Sequence, residues 1–227
     1  MADAADAAAA ALPYRRLDRD DPACPAGLRE AAARCDVRAL DALGDVALAA
    51  RPLLGFVCSA RCPGGVILGA YDLGRWWRAQ GVAVVSGFHS PIERELLRLL
   101  LVGQQPIVLC AARSLARLRP PAEWRAALAA GRLLVVSPIT GEARRASAAQ
   151  AMARNQFVAA LAAATGGALL AAHAAPGGKT EALCDAVLAR GEPLLVCDDA
   201  SNAELVARGA QAISAATFGA WWGGCAG

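Results

Sequence analysis

The chain has 227 residues, 56% of them hydrophobic, and a formal net charge of +3 at pH 7. That length suits one large domain, or one domain with a small N-terminal appendage, built around one core. No run of eighteen residues lacks a charge or a Gly/Pro break, which argues against a membrane-spanning helix. The small charge gives no support by itself for a nucleic-acid partner, because a dedicated binding module carries a higher pI and a clustered basic face.

Residues 1–50 read as a leader or small helical cap. Met1 to Leu12 is alanine-rich, with Asp3 and Asp6 where a secretory signal needs positive charge, so a cytoplasmic location and no membrane partner are expected. Asp18-Arg19-Asp20-Asp21-Pro22 is a polar turn, and Leu28 to Cys35 has a helical pattern. From 51 to 227, short β-type apolar runs alternate with amphipathic stretches. The runs predict strands over 53–59, 82–86, 106–110, 133–137, 168–172, 194–197 and 212–214. Helices are predicted over 69–80, 91–102, 121–130, 146–163, 180–190 and 203–208. The period is clearest in Glu93–Leu101, where Leu96, Leu97, Leu100 and Leu101 share one side while Arg94, Glu95 and Arg98 stay polar. This rhythm is that of βαβ units and predicts an α/β fold, a Rossmann-like three-layer sandwich with a mostly parallel sheet. The apolar tail Phe218-Gly219-Ala220-Trp221-Trp222 is expected to cover an edge of the core.

Eight cysteines raise the question of disulfides or metal. Several lie inside apolar runs, such as Gly55–Cys58 and Leu194–Cys197, and read as buried thiols. Cys-x-x-Cys does not occur, and Cys58-x-x-x-Cys62 with His89 is a poor zinc template, so neither metal nor cofactor is expected. All the basic residues except Lys179 are arginine, which singles out that position.

In a parallel sheet with helical crossovers, ligands sit outside the carboxyl ends of the strands. The unusual residues of this chain fall there: Ser59 and Arg61 after the first of these strands, Ser86-Gly87-Phe88-His89-Ser90 after the second, Arg113 after the third, and His173 through Gly177-Gly178-Lys179-Thr180 after the fifth. Together they make an anion-binding rim. Ser90-Pro91-Ile92-Glu93 combines an N-cap hydroxyl, Pro at the first helical position and Glu at the third, so a helix starts at Pro91. The amides of Gly87 to Ser90 then either hold a phosphate or are simply capped. Gly177-Gly178-Lys179-Thr180 ends like a Walker A loop, yet His173 stands where that loop's first Gly belongs. What remains is a Gly-rich turn that holds one phosphate or only starts a helix. Arg154-Asn155 breaks an Ala-rich helix, as a site or as a solvated face. Asp198, Asp199 and Asn202 form a turn and cap. There is no Gly-x-Ser-x-Gly, no His-Glu-x-x-His and no triad, so no catalytic machinery is assigned; in an enzyme His89 and Glu93 are the acid/base candidates.

The succession of Ala42-Leu43-Gly44-Asp45, Ser59-Ala60-Arg61, Val84-Val85-Ser86-Gly87, Arg154-Asn155-Gln156-Phe157 and Lys179-Thr180-Glu181-Ala182 resembles the DNA-processing protein A (Smf) family over roughly residues 40 to 215. The resemblance implies a Rossmann-like protein that binds single-stranded DNA and helps load a recombinase during natural transformation. The wider superfamily includes cytokinin-activating phosphoribohydrolases. Carried over by position, Ser59 and Arg61 match a Gly-Ser-Arg turn, Ser86-Gly87 a Ser-Gly turn and Arg154-Asn155 an Arg-Asn-Arg helix, while Lys179 falls in a Gly/Ser-rich loop. Departures occur at Phe88–Glu93, which replaces Gly-Ile-Asp and a downstream Ala-His, at Gln156 in place of the second Arg, and in the first turn, which lacks its Gly. No winged-helix domain is expected after 215. The implied partners are single-stranded DNA, a recombinase and a second copy of the chain in a homodimer. In that reading Arg61, Arg113, Arg154 and Lys179 take phosphates and Phe88 stacks on a base. The alternative is a nucleotide-binding sensor or nucleotide hydrolase of the same superfamily.

Overall fold

The computed structural model describes residues 14–140 and 147–225. Of the N-terminal segment, residues 1–13 lie outside the described residues. In chain order the elements are β1 (Arg15–Asp18), α1 (Ala26–Arg34), β2 (Ala39–Gly44), β3 (Leu54–Val57), α2 (Gly64–Gln80), β4 (Val84–Ser86), α3 (Pro91–Leu101), β5 (Ile107–Cys110), α4 (Ala122–Ala129), β6 (Leu133–Ser137), α5 (Ala148–Ala164), β7 (Ala168–Ala171), α6 (Lys179–Ala189), β8 (Leu194–Cys197), α7 (Ala203–Ala207), β9 (Gln211–Ile213) and α8 (Ala215–Cys225).

One sheet holds all nine strands in the order β1-β2-β6-β5-β4-β3-β7-β8-β9. From β3 the chain steps outward through β4, β5 and β6, then crosses back to β7 on the other side of β3 and steps outward again. These seven strands are parallel, and the order reverses between β3 and β7. That reversal point is where the carboxyl ends of neighbouring strands part and open a crevice. β2 and β1 add to the far edge antiparallel, with Leu43 opposite Val135 and Leu17 opposite Leu40. Reading by periodicity misses both strands. β1 is a polar edge in which only Leu17 is buried, and Ala39, Asp41, Ala42 and Gly44 of β2 are of types depleted in strands.

The inner strands are covered on both faces, which is why Leu54–Val57, Ile107–Cys110 and Leu194–Cys197 read as continuous apolar runs. One face packs Val57, Val85, Val136 and Ala171 against α1, α5 and α6 through Leu28, Phe157, Leu161 and Val187. The other packs Phe56, Val84 and Leu170 against α2, α3 and α8 through Leu73, Trp77, Leu100 and Phe218. Fully buried Trp77 meets Phe56 and Phe218 edge-on, at centroid distances of 5.8 and 5.7 Å. Trp222 stacks on Phe218 at 5.7 Å, so α8 closes this layer with its aromatic side. No helix among the described residues is long and apolar enough to cross a membrane.

Candidate nucleic-acid interface

Three turns meet at the switch point, those after β3, β4 and β7, and hydrogen bonds tie them into one surface. The Ser59 amide donates to the His173 carbonyl (3.0 Å), and Ser59 Oγ accepts from the Ala175 amide (2.9 Å), joining the β3 and β7 turns. Glu93, only 3% exposed, joins β3 to β4: Oε1 accepts from the Cys58 amide (3.1 Å), and Oε2 from the amides of His89 (2.7 Å) and Ser90 (3.2 Å). Ser90 Oγ accepts the Glu93 amide in return, completing the capping box of α3.

These bonds bear on two readings that the sequence left open. Both carboxylate oxygens of Glu93 are committed to backbone amides in a buried site, so it is a staple and has no free oxygen for acid/base work. The same bonds use the amides of His89 and Ser90, and the Phe88 amide donates to Ser86 Oγ (3.1 Å). The α3 terminus is therefore capped by its own carboxylate, the second of the two readings that its sequence left open.

Phe88 differs as well. Its backbone turns into the left-handed region at φ 46°, and the ring is buried (5% exposed) in the layer that contains Ile92 and Leu96. It is core, not a stacking platform. Arg154, expected on phosphate, is 4% exposed. Its Nε donates to Asn155 Oδ1 (2.7 Å), and its guanidinium lies flat against Gly87, filling the space a Cβ there would need. Ser86 and Thr180 are buried too.

Arg61, His89, Arg113 and Lys179 are exposed, and Ser59, Gly87, Ser90 and Gly178 are half-buried. Among the described residues, Arg61, Arg113 and Lys179 form no ion pair. Arg61 and Lys179 follow adjacent strands, whereas Arg113 stands at the end of β5, two strands from β3. Gly177, exposed at φ 68°, donates its amide to Glu181 Oε2 (2.6 Å), and the Gly178 amide donates to the Ala175 carbonyl (2.9 Å). Hydrogen bonds from Arg208 and then from the Gly177 amide hold the Glu181 carboxyl below its ordinary pKa. That contribution to stability is present above the ordinary carboxylate range and is lost as pH falls through the depressed value. Asn155 and Lys179 also line a groove of about 680 Å³ between α1, α5 and α6, walled by Met152, Ala160, Leu183 and Ala186.

Sequence reasoning left a second network unassembled. Asn202, 1% exposed, donates both amide hydrogens, to the carbonyls of Ala172 and Cys197 (2.9 Å each). Its Oδ1 must then accept, which makes Nδ1 of His173 the donor across 3.2 Å. Ser201 Oγ lies 3.3 Å from the same Nδ1 and donates to Asp199 Oδ1 (2.6 Å). Those bonds from the Ser201 hydroxyl and amide hold the Asp199 carboxyl below its ordinary pKa. The residues lie on turns 25 or more positions apart, so only the order of the strands brings them together. Burial pushes the nearby Cys197 thiol up to about 12 and raises Cys58 as well, so both stay protonated and inert at neutral pH. Among the described residues no group of three His, Cys, Asp or Glu has the arrangement to hold a metal.

No family model matches the chain, and no curated protein matches it by sequence. Solved structures do. DNA processing protein A (DprA) from Streptococcus pneumoniae superposes with TM-score 0.71 at 18% identity, over 93% of this chain and 75% of that one. DprA from Helicobacter pylori does so with TM-score 0.69 at 18% identity, over 91% of this chain and 94% of that one, and is described as binding single-stranded DNA in a unique mode. The chain has the DprA fold. A molybdenum cofactor binding protein from Rippkaea orientalis shares part of it, with TM-score 0.52 at 14% identity over 77% of this chain and 96% of that one. The DprA-like chain thus keeps the Rossmann-like sheet across almost its whole described length, at an identity that leaves the side chains of the rim to be judged by their own chemistry.

Proposed function

We propose that this DprA-like chain binds single-stranded DNA along the switch-point rim, as part of DNA uptake or recombination. The observation that carries the reading is the pair Arg61 and Lys179: exposed cations, free of ion pairs among the described residues, on two turns that Ser59 bonds together. Arg113 extends the line of charge towards β5. Binding then rests on backbone phosphates, with strong dependence on salt. Base preference is weak in this reading, because Phe88 is buried and offers no ring for stacking. A cytoplasmic location, a recombinase partner and a homodimer belong to the same proposal.

Arg61→Ala with Lys179→Ala is expected to weaken binding of a labelled oligothymidylate by at least tenfold at low salt, and to reduce the slope of log K against log[salt] by about 1.4, at about 0.7 per lost phosphate contact. Both follow from fluorescence anisotropy at several salt concentrations. Superimposable titrations of variant and parent would end the proposal. A melting temperature raised by mononucleotides and not by the oligonucleotide would turn the reading to a nucleotide sensor or hydrolase.

A further inference from the structure

The connection between β5 and α4, residues 111–121, is eleven residues long, about twice what a βα turn needs. It is fixed from within. Leu115 and Leu118 are buried in the layer that holds Phe88 and Ile92, and Pro120 is buried too. The Leu118 amide donates to the Leu115 carbonyl (2.9 Å), the Ser137 hydroxyl at the end of β6 reaches the Arg113 carbonyl (2.8 Å), and Arg125 Nη1 donates to the Pro120 carbonyl (3.1 Å). With its leucines turned inward, the loop leaves Arg113, Arg117 and Arg119 exposed, and Arg125 is exposed on the first turn of α4.

Between residues 113 and 125 four arginines stand against one acid, Glu123, an excess of +3 that equals the formal charge of the whole chain, so all other residues sum to zero. None of the four pairs with a carboxylate among the described residues, whereas Arg34, Arg98, Arg190 and Arg208 on or beside other helices are each held by at least one. Guanidinium groups gathered on a fixed loop repel one another and are satisfied by an external polyanion. Their place in the fold says which one. Arg113 stands at the carboxyl end of β5, so the loop begins on the rim and continues it along α4. The β4 turn lies between β3 and β5, and there Arg94 Nε donates to the His89 carbonyl (3.0 Å). Arg94 is exposed, on the side of α3 away from Leu96 and Leu99, which face Gly74 of α2. α3 and α4 pack side by side, so Arg94 fills the step between the switch point and the loop.

We propose that the arginine loop 113–125 is a second phosphate-contacting surface, which takes the continuation of the same DNA strand once it has passed Arg61, Lys179 and Arg94. The inference rests on the strand-binding reading above and adds to it the path of the strand and the length a ligand needs for full affinity. Each guanidinium that meets a backbone phosphate releases counterions from the strand. The loop is already held by its buried leucines, so little ordering entropy opposes the contact. A short oligonucleotide occupies the switch point or the loop, while a long one spans both.

Arg117→Gln with Arg119→Gln tests this, because both side chains are exposed and neither makes a hydrogen bond among the described residues. Arg51→Gln with Arg75→Gln is the control: it removes the same charge from two exposed positions at the amino-terminal end of the sheet, before β3 and late in α2. The probes are fluorescein-labelled oligothymidylates of about six and about twenty nucleotides, followed by anisotropy at several salt concentrations. The loop variant is expected to bind the long probe about tenfold more weakly at low salt, with the slope of log K against log[salt] reduced by about 1.4, and the short probe only about twofold more weakly. The control stays within about twofold of the parent on both. A loss on the long probe no larger than on the short one, or no larger than the control's, overturns the inference. If the loop variant loses the long probe while Arg61→Ala with Lys179→Ala binds it as the parent does, the switch-point reading falls and the arginine loop stands as the strand's contact surface.

Discussion

Glu93→Ala is expected to destabilise the protein by about 3 kcal/mol and to lower its melting temperature by about 6–12 °C. Three backbone amides, those of Cys58, His89 and Ser90, donate to this one carboxylate, and the first of them is buried in the apolar layer. Alanine leaves all three without this acceptor, and for the buried Cys58 amide, out of reach of water, that is the costly way to lose a hydrogen bond. Glu93→Gln keeps one oxygen but turns an NH2 group towards amide donors, so about 2 kcal/mol is expected. Ser90→Ala removes only the returning half of the capping box, worth about 1 kcal/mol. Urea denaturation of the three variants orders them. A loss below about 1 kcal/mol for Glu93→Ala would show that β3 and the β4 turn hold their positions without the staple.

Six of the seven parallel strands, β3 to β8, were legible in the sequence because each is buried on both faces and is therefore an essentially apolar run, whereas β9 is an edge strand with only Ile213 buried; the helix starts at Pro91 and Lys179 were legible from their caps and glycines. β1 and β2 were not. Arg15–Asp18 and Ala39–Gly44 become strands only by pairing with each other and with β6, about a hundred residues away. At the rim, the positions of Ser59, Arg61, Gly177 and Lys179 follow from strand order, but which groups face solvent does not. Ser90-Pro91-Ile92-Glu93 is the same string of residues whether its carboxylate caps the helix or leaves the seat to a phosphate. What decided the matter was the reach of Glu93 to the Cys58 amide on another strand, a contact between residues 35 positions apart. The positive φ of Phe88 likewise has no signature in a residue type that rarely adopts it. His173, Asp199 and Asn202 each look like ordinary turn residues until the crossover from β7 to β8 sets their turns side by side.

Gly87→Ala should cost about 3 kcal/mol, the upper range for overpacking a well-filled interior. Gly87 is not among the glycines with positive φ, so the position needs glycine for space and not for backbone freedom. A Cβ there would overlap Nη1, Cζ and Nε of Arg154, closer than real Cβ atoms come to any neighbour. The obstacle is the rigid hub of a planar group, held at Nε by Asn155 and enclosed by α5 and the sheet it packs under, so it cannot swing aside into water. Expelling it strands a charge that has few other places to go. The explanation makes a quantitative demand on the pair: once Arg154→Ala has removed the guanidinium, adding Gly87→Ala should cost less than about 1 kcal/mol, a coupling of about 2 kcal/mol between the two sites. Denaturation of the parent, the two single variants and the double variant measures it, and additive losses would show that Gly87 is required for some reason other than Arg154. Because Arg154 lies directly under the turn that carries His89, its charge reaches the rim through one layer of backbone. Arg154→Ala should therefore weaken oligonucleotide binding without removing any direct contact, and Arg154→Lys, which keeps the charge but not the flat fit beneath Gly87, should recover part of that binding while remaining less stable than the parent.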